Sequence, residues 1–122
     1  MTLLDFQSNS FSGTIPDAFA SLTKLQYLDL SINSLTGTIP EGLSNLFHLD
    51  YCSSNSPTGT LPTSFSRLTR LVSFRVDSNQ LQGTLPHDYA SWGATLNTAF
   101  FQLNQFNGTL PPEYSNWTKN DL

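Results

Sequence analysis

Nine acidic and five basic side chains in 122 residues give a formal charge of −4, with only 11% of the chain charged. That balance argues against a nucleic-acid or acidic-membrane binder, which needs clustered Lys and Arg. Apolar residues reach 38% and aromatics 12%, too many for a disordered segment even though Ser, Thr and Asn together number 40. No run approaches the roughly 18 apolar residues of a membrane span, and the opening MTLLDFQSNS has neither the charged region nor the apolar stretch of a signal peptide. The single cysteine, Cys52, excludes an internal disulfide framework and a CxxC metal site, and leaves the redox compartment open.

A Gly-Thr-(Ile/Leu)-Pro tetrapeptide begins at Gly13, Gly37, Gly59, Gly83 and Gly108, at intervals of 24, 22, 24 and 25 residues. Four residues before each glycine stands an asparagine: Asn9, Asn33, Asn55, Asn79 and Asn104. This phase divides one domain into five units, 1–24, 25–48, 49–70, 71–95 and 96–122. In the first unit, Leu3, Leu4 and Phe6 take the strand positions and are expected to face an uncovered end of the stack. The second unit shows the whole pattern: Leu25, Leu28, Leu30, Asn33, Leu35, Gly37, Ile39, Pro40, Leu43 and Leu46. Its Leu28-x-Leu30 alternation has the period of an extended strand, with Tyr27, Asp29 and Ser31 on the opposite face. Asn33 is expected to turn inward and bond backbone groups of the bending chain, so that five such residues form a ladder. Thr-Ile-Pro reads as a second short extended piece, because the residue before proline avoids the helical region. Leu43 and Leu46 follow at helical spacing and are expected to pack a short helical turn on the outer side.

The third unit lacks two residues between Leu46 and Asn55, which puts Asp50 and Cys52 at strand positions counted back from the asparagine. Pro57 stands where the second unit has Leu35, so an irregular sheet or a shifted register is expected there. In the fourth unit the stretch after Pro86 is one residue long, with Trp92 and Gly93, and its outer turn is expected to bulge. The fifth unit ends the chain without a visible cap, so the segment reads as a piece of a longer array whose bare ends favour end-to-end self-association.

The LxxLxLxxNxLxGxIPxxLxxLxx pattern resembles that of leucine-rich repeats, and its LxGxIP half resembles the subtype of plant receptor and inhibitor ectodomains. The resemblance implies an α/β, right-handed leucine-rich-repeat solenoid: a parallel β-sheet on the concave face and short helical or irregular convex segments. The last two units, GTLPHDYASWG and GTLPPEYSNWT, replace leucines with aromatics. The string from Pro111 to Trp117 resembles the repeats of the kinetoplastid surface-antigen and proteophosphoglycan family. That likeness implies an adhesive cell-surface or secreted glycoprotein; the plant-like likeness implies a receptor-kinase ectodomain or a cell-wall-enzyme inhibitor. Neither family is catalytic in its repeats.

Chemistry is sparse in the residues themselves. His48, Asp50 and Cys52 lie close in sequence, but a base four residues along an extended chain is about 13 Å from a thiol, beyond hydrogen-bond reach. No catalytic residue, cofactor or metal ligand set is expected. The concave strand positions are left free by the repeat, and they read Asp5, Asp29, Tyr51, Arg75 and Phe100; Gln7, Ser31, Ser53, Asp77 and Gln102; and Leu3, Tyr27, Leu49, Ser73 and Thr98. From these, Tyr27, Asp29, Tyr51, Arg75, Asp77 and Phe100 are the candidate ligand-binding residues, since aromatics and arginine are enriched where interfaces concentrate their energy. A protein or carbohydrate ligand fits this strip, with a rigid stalk as the alternative role and with no nucleic-acid partner and no membrane insertion by this segment. Asn107 and Asn116 sit in Asn-x-Thr sequons and are candidate glycosylation sites.

Overall fold

Because each unit returns the same short apolar strand to the same height, strands of successive units lie side by side. A computed structural model describes residues 1–43, 46–50 and 55–117, with Asp50 described by its backbone alone. Five three-residue strands, β1 (Leu3–Asp5), β3 (Tyr27–Asp29), β5 (His48–Asp50), β6 (Ser73–Arg75) and β8 (Thr98–Phe100), form one parallel sheet in the order β1-β3-β5-β6-β8. Four further pieces of two or three residues lie after the asparagines: β2 (Ser12–Thr14), β4 (Ser34–Thr36), β7 (Gln82–Gly83) and β9 (Gln105–Phe106). They pair as β2-β4 and β7-β9, both parallel.

The middle residue of each main strand points into the core, giving the row Leu4, Leu28, Leu49, Phe74 and Ala99. This corrects the reading of the third unit, which placed Leu49 and Tyr51 on the open face. Leu49 is 0% exposed, and His48 and Asp50 take the register positions of Tyr27 and Asp29. The reason is local. Leu46 stands three residues before Leu49 just as Leu25 stands three before Leu28, and burying each such leucine is worth about 1.5–3 kcal/mol. The preceding leucine therefore sets the register, and the odd spacing is displaced into the stretch before Asn55. Tyr51, Cys52 and Ser53 lie outside the described residues.

On the outer side, 3-10 helical segments Asp17–Ser21, Thr63–Arg67, His87–Ala94 and Pro112–Asn116 each follow the repeat proline. The second unit differs. Only six residues separate Pro40 from Leu46, against nine between Pro16 and Leu25, and a turn at 41–42 replaces the expected helical turn, with Leu43 and Leu46 still buried. Gly42 lets this short connection press on the unit before it, since a Cβ there would lie 2.3 Å from the Ala20 Cβ. The extra residue of the fourth unit produces no bulge at Trp92 and Gly93. It is taken into the longest 3-10 segment, and both residues are buried.

Three of the repeat asparagines bond to the unit before their own. Asn33 Oδ1 accepts the Phe11 N–H at 3.0 Å, while its Nδ2 donates to the carbonyls of Phe6, Leu30 and Ser31. Asn55 and Asn104 likewise accept the Leu35 and Leu81 N–H groups and donate to Leu30 and Val76 of the preceding unit. Asn9, in the first unit, donates only to Phe6 and Gln7 beside it. Each repeat glycine has positive φ, and beneath each one after Gly13 packs the threonine of the unit before, the Thr14 Cγ2 lying 2.7 Å from where a Gly37 Cβ would stand.

Candidate functional site

Strand residues on either side of the buried row point away from the core, so the open face of the main sheet carries two parallel rows of side chains. The row Leu3, Tyr27, His48, Ser73 and Thr98 begins it. The Tyr27 and His48 rings lie 5.8 Å apart, and the Thr98 and Ser73 hydroxyls are 3.0 Å apart. His48 was not among the expected face residues; the leucine spacing of 46 and 49 was the signal that would have placed it there.

The second row runs Asp5, Asp29, Asp50, Arg75 and Phe100. Arg75 and Phe100 close this row on the last two strands of the sheet. The guanidinium lies 5.0 Å from the Phe100 ring centroid, the Arg75 side chain is 41% exposed and Phe100 is 39% exposed. The ring and the Asp77 carboxylate flank the cation, which gives the face one charged and one aromatic group side by side.

Two expected ligand residues are spent on the fold instead. Asp29 is only 5% exposed, and its Oδ1 accepts both the Ser31 N–H at 2.9 Å and the Ser31 hydroxyl at 2.6 Å. Asp77, also 5% exposed, lies 3.7 Å from Arg75 Nε. A short carboxylate at the strand end captures the N–H two residues on, as Asp5 does for Gln7 at 3.1 Å. Asp29 thus holds the bend, and Asp77 lies beside the exposed cation of Arg75. Tyr27 is half-buried, with its hydroxyl 3.5 Å from Asp29 Oδ2. Tyr51 lies outside the described residues. Asn107 and Asn116 are exposed.

Among the described residues no group of three or more His, Cys, Asp or Glu could hold a metal ion, and no helix is long and apolar enough to cross a membrane.

Stacked parallel strands, an inward asparagine per unit and a positive-φ glycine before each Thr-(Ile/Leu)-Pro define a leucine-rich-repeat solenoid. A leucine rich repeat family model matches residues 1–52. Solved structures match nearly the whole chain. The ectodomain of the plant membrane receptor kinase GASSHO1/SCHENGEN3 from Arabidopsis thaliana, in complex with CASPARIAN STRIP INTEGRITY FACTOR 2, is 38% identical with a TM-score of 0.91 over 98% of this chain and 14% of that one. The plant peptide hormone receptor RGFR1, in complex with RGF2, is 29% identical with a TM-score of 0.93 over 98% of this chain and 19% of that one. A chain of the BIR3–SERK2 complex from Arabidopsis thaliana is 29% identical with a TM-score of 0.80 over 97% of this chain and 66% of that one. The chain thus spans only about a fifth or less of the first two of these chains. No curated protein sequence matches it.

Proposed function

We propose that this chain is a non-enzymatic recognition segment of an extracellular leucine-rich-repeat receptor, and that the open sheet face binds a peptide or protein ligand around Arg75 and Phe100. The observation that carries the reading is the exposed Arg75 guanidinium held against Phe100 on a rigid sheet. Support comes from the neighbours, whose structures were solved in complex with peptide hormones and other proteins. Tyr27 and His48 extend the contact surface across β3 and β5. An extracellular location would make exposed Asn107 and Asn116 glycan acceptors, on the side of the chain that follows the main strands. The surface-antigen likeness of the last units is carried by Tyr89, Trp92, Tyr114 and Trp117, which pack in or against the core, so it supports a shared way of packing more than a shared partner.

The test is selection of peptides from a displayed random library on the immobilised chain, repeated with Arg75→Ala and Phe100→Ala. Peptides enriched on the wild type should bind each variant about tenfold or more weakly, a loss of about 1.4 kcal/mol, as expected for arginine and aromatic anchors. Thr63→Ala, on the outer side, should bind as the wild type does. Peptides that bind all three variants equally, or no enrichment at all, would favour the stalk role.

A further inference from the structure

The short second unit leaves an opening between its neighbours. Nine residues run from Pro16 to Leu25 and from Pro62 to Leu71, but only six from Pro40 to Leu46. The triplets Leu22-Thr23-Lys24 and Leu68-Thr69-Arg70 occupy the same place in the units on either side, and the second unit has no counterpart to either. The gap is a cleft of about 350 Å³ at the edge where the main strands begin, with Leu46 and Phe47 inside it and Lys24, Arg67 and Arg70 around it. Three of the chain's five basic residues therefore meet in one place in a protein of net charge −4.

Among the described residues no carboxylate lines the cleft, and all three cations are exposed. Arg70 Cζ lies over the Phe47 ring at 4.2 Å from its centroid, a cation–π contact that holds the guanidinium at the cleft. Thr2 and Thr69 add hydroxyl donors to the lining. Solvated surface cations gain nothing from being gathered, since like charges about 4 Å apart in water repel by about 1 kcal/mol. An anion with several oxygens turns that repulsion into attraction, and guanidinium groups bind such oxygens in pairs.

We infer that the cleft binds an oxyanion of two or more charges, a phosphate or sulfate ester carried by a small ligand. It is separate from the open sheet face, so its existence does not depend on peptide recognition there.

The experiment is calorimetric titration of the full chain with two probes, inorganic pyrophosphate and a heparin-derived disulfated disaccharide, at low and at physiological salt. One saturable site is expected, weakened by salt. In Arg67→Gln/Arg70→Gln the affinity should fall about tenfold or more, and in Lys24→Gln by less, since lysine acts as a point charge. Ser34→Glu/Gln82→Glu, which makes the same change in net charge on exposed positions away from the cleft, should keep the affinity within a factor of about two. Tighter binding of pyrophosphate would identify a phosphate ester, and tighter binding of the disaccharide a sulfated sugar. Absence of saturable binding by either probe, or equal loss in the Ser34/Gln82 variant, would overturn the inference. Circular dichroism of each variant confirms folding, and the exposed Lys24→Gln change keeps the test open should the double arginine variant fail to fold.

Discussion

At the residue scale the ladder contains one defect, and its cause is a single atom. In the units around it, the asparagine oxygen accepts the N–H of the residue two after the preceding asparagine: Phe11, Leu35 and Leu81 serve Asn33, Asn55 and Asn104. For Asn79 that residue is Pro57, which has no N–H, and Asn79 Oδ1 is buried without a partner among the described residues. The neighbouring bonds persist, with the Ser56, Thr58 and Gln82 N–H groups all donating in phase, so the backbone course is unchanged. A buried orphan acceptor costs about 1–3 kcal/mol, whereas losing a proline's stiffening of the unfolded chain costs about 0.4–1. Pro57→Leu should therefore stabilise the protein by about 1 kcal/mol, read as a higher urea midpoint. The gain should vanish in an Asn79→Ala background. A Pro57→Leu gain of the same size with and without Asn79 would show that the oxygen is not its source. The sequence displayed both residues in register, but a missing donor becomes visible only once the ladder's partners are known. The same holds for the residues preceding the asparagines. Ser8, Ile32, Ser78 and Leu103 adopt φ of 54 to 57°, a left-handed turn that neither Ile32 nor Leu103 announces by residue type.

At the scale of the element, the aromatic 3-10 segments do more than substitute for leucines. Tyr89 and Tyr114 each donate a 2.8 Å hydrogen bond to a proline carbonyl of the unit before, Pro62 and Pro86. Trp92 Nε1 donates to the Phe65 carbonyl and Trp117 Nε1 to that of Tyr89. Tyr89 and Trp92 stack at 3.9 Å, Tyr114 and Trp117 at 4.0 Å. Because a bulky side chain with a polar tip reaches back one unit, it satisfies a carbonyl that a leucine would leave to other partners. Burial raises the Tyr89 phenol far above its usual range, with the Tyr114 phenol adding to it, and burial followed by Glu113 raises Tyr114. A folded-state pKa above the unfolded one gives stability that is full below about pH 10 and lost above it. For Tyr89 the loss reaches about 1.4 kcal/mol by pH 11; Tyr114, closer to solvent, contributes less. Tyr89→Phe/Tyr114→Phe should melt earlier at pH 7, where both hydrogen bonds are gone, yet lose less melting temperature between pH 9 and pH 11 than the wild type. Parallel alkaline slopes would show that these phenols do not govern it. The sequence made the aromatic replacement plain, while the bonds behind it depend on the 27 or 28 residues between donor and acceptor.

Across the whole molecule, each unit touches only its neighbours, so stability is a sum of unit and interface contributions, and the weakest interface decides where the stack opens. The junction between the second and third units is the weakest on two counts. Among the described residues the second unit shows a turn at 41–42 where the other units carry a 3-10 segment, and Pro57 interrupts the series of short outer strands between β4 and β7. The rows of the sheet were legible from the repeat. This junction was not, because it was read as two residues missing, when it consists of three lost on the outer side and one gained after the strand. Beyond it, Phe74 packs against Phe65, Tyr89, Trp92 and Phe101, and consecutive 3-10 segments are joined by side-chain hydrogen bonds. The first two units have smaller side chains and one uncovered apolar side, where Phe11 and Leu3 are exposed. Opening should therefore run inward from the first unit and pause at this junction, with the last three units holding as one cooperative block. Native-state hydrogen exchange in low urea would read this directly. The amides of Val76, Asn97 and Trp117, bonded to carbonyls at Phe100, Val72 and Tyr114, should exchange only by global unfolding. Those of Phe6 and Ser8, bonded to Asp29 and Ser31, should exchange by a smaller opening that urea barely accelerates. Pro57→Leu should narrow the difference between the two sets by strengthening the junction. A single exchange free energy for amides on both sides would mean that the five units unfold together, and that the short unit costs the stack nothing in cooperativity.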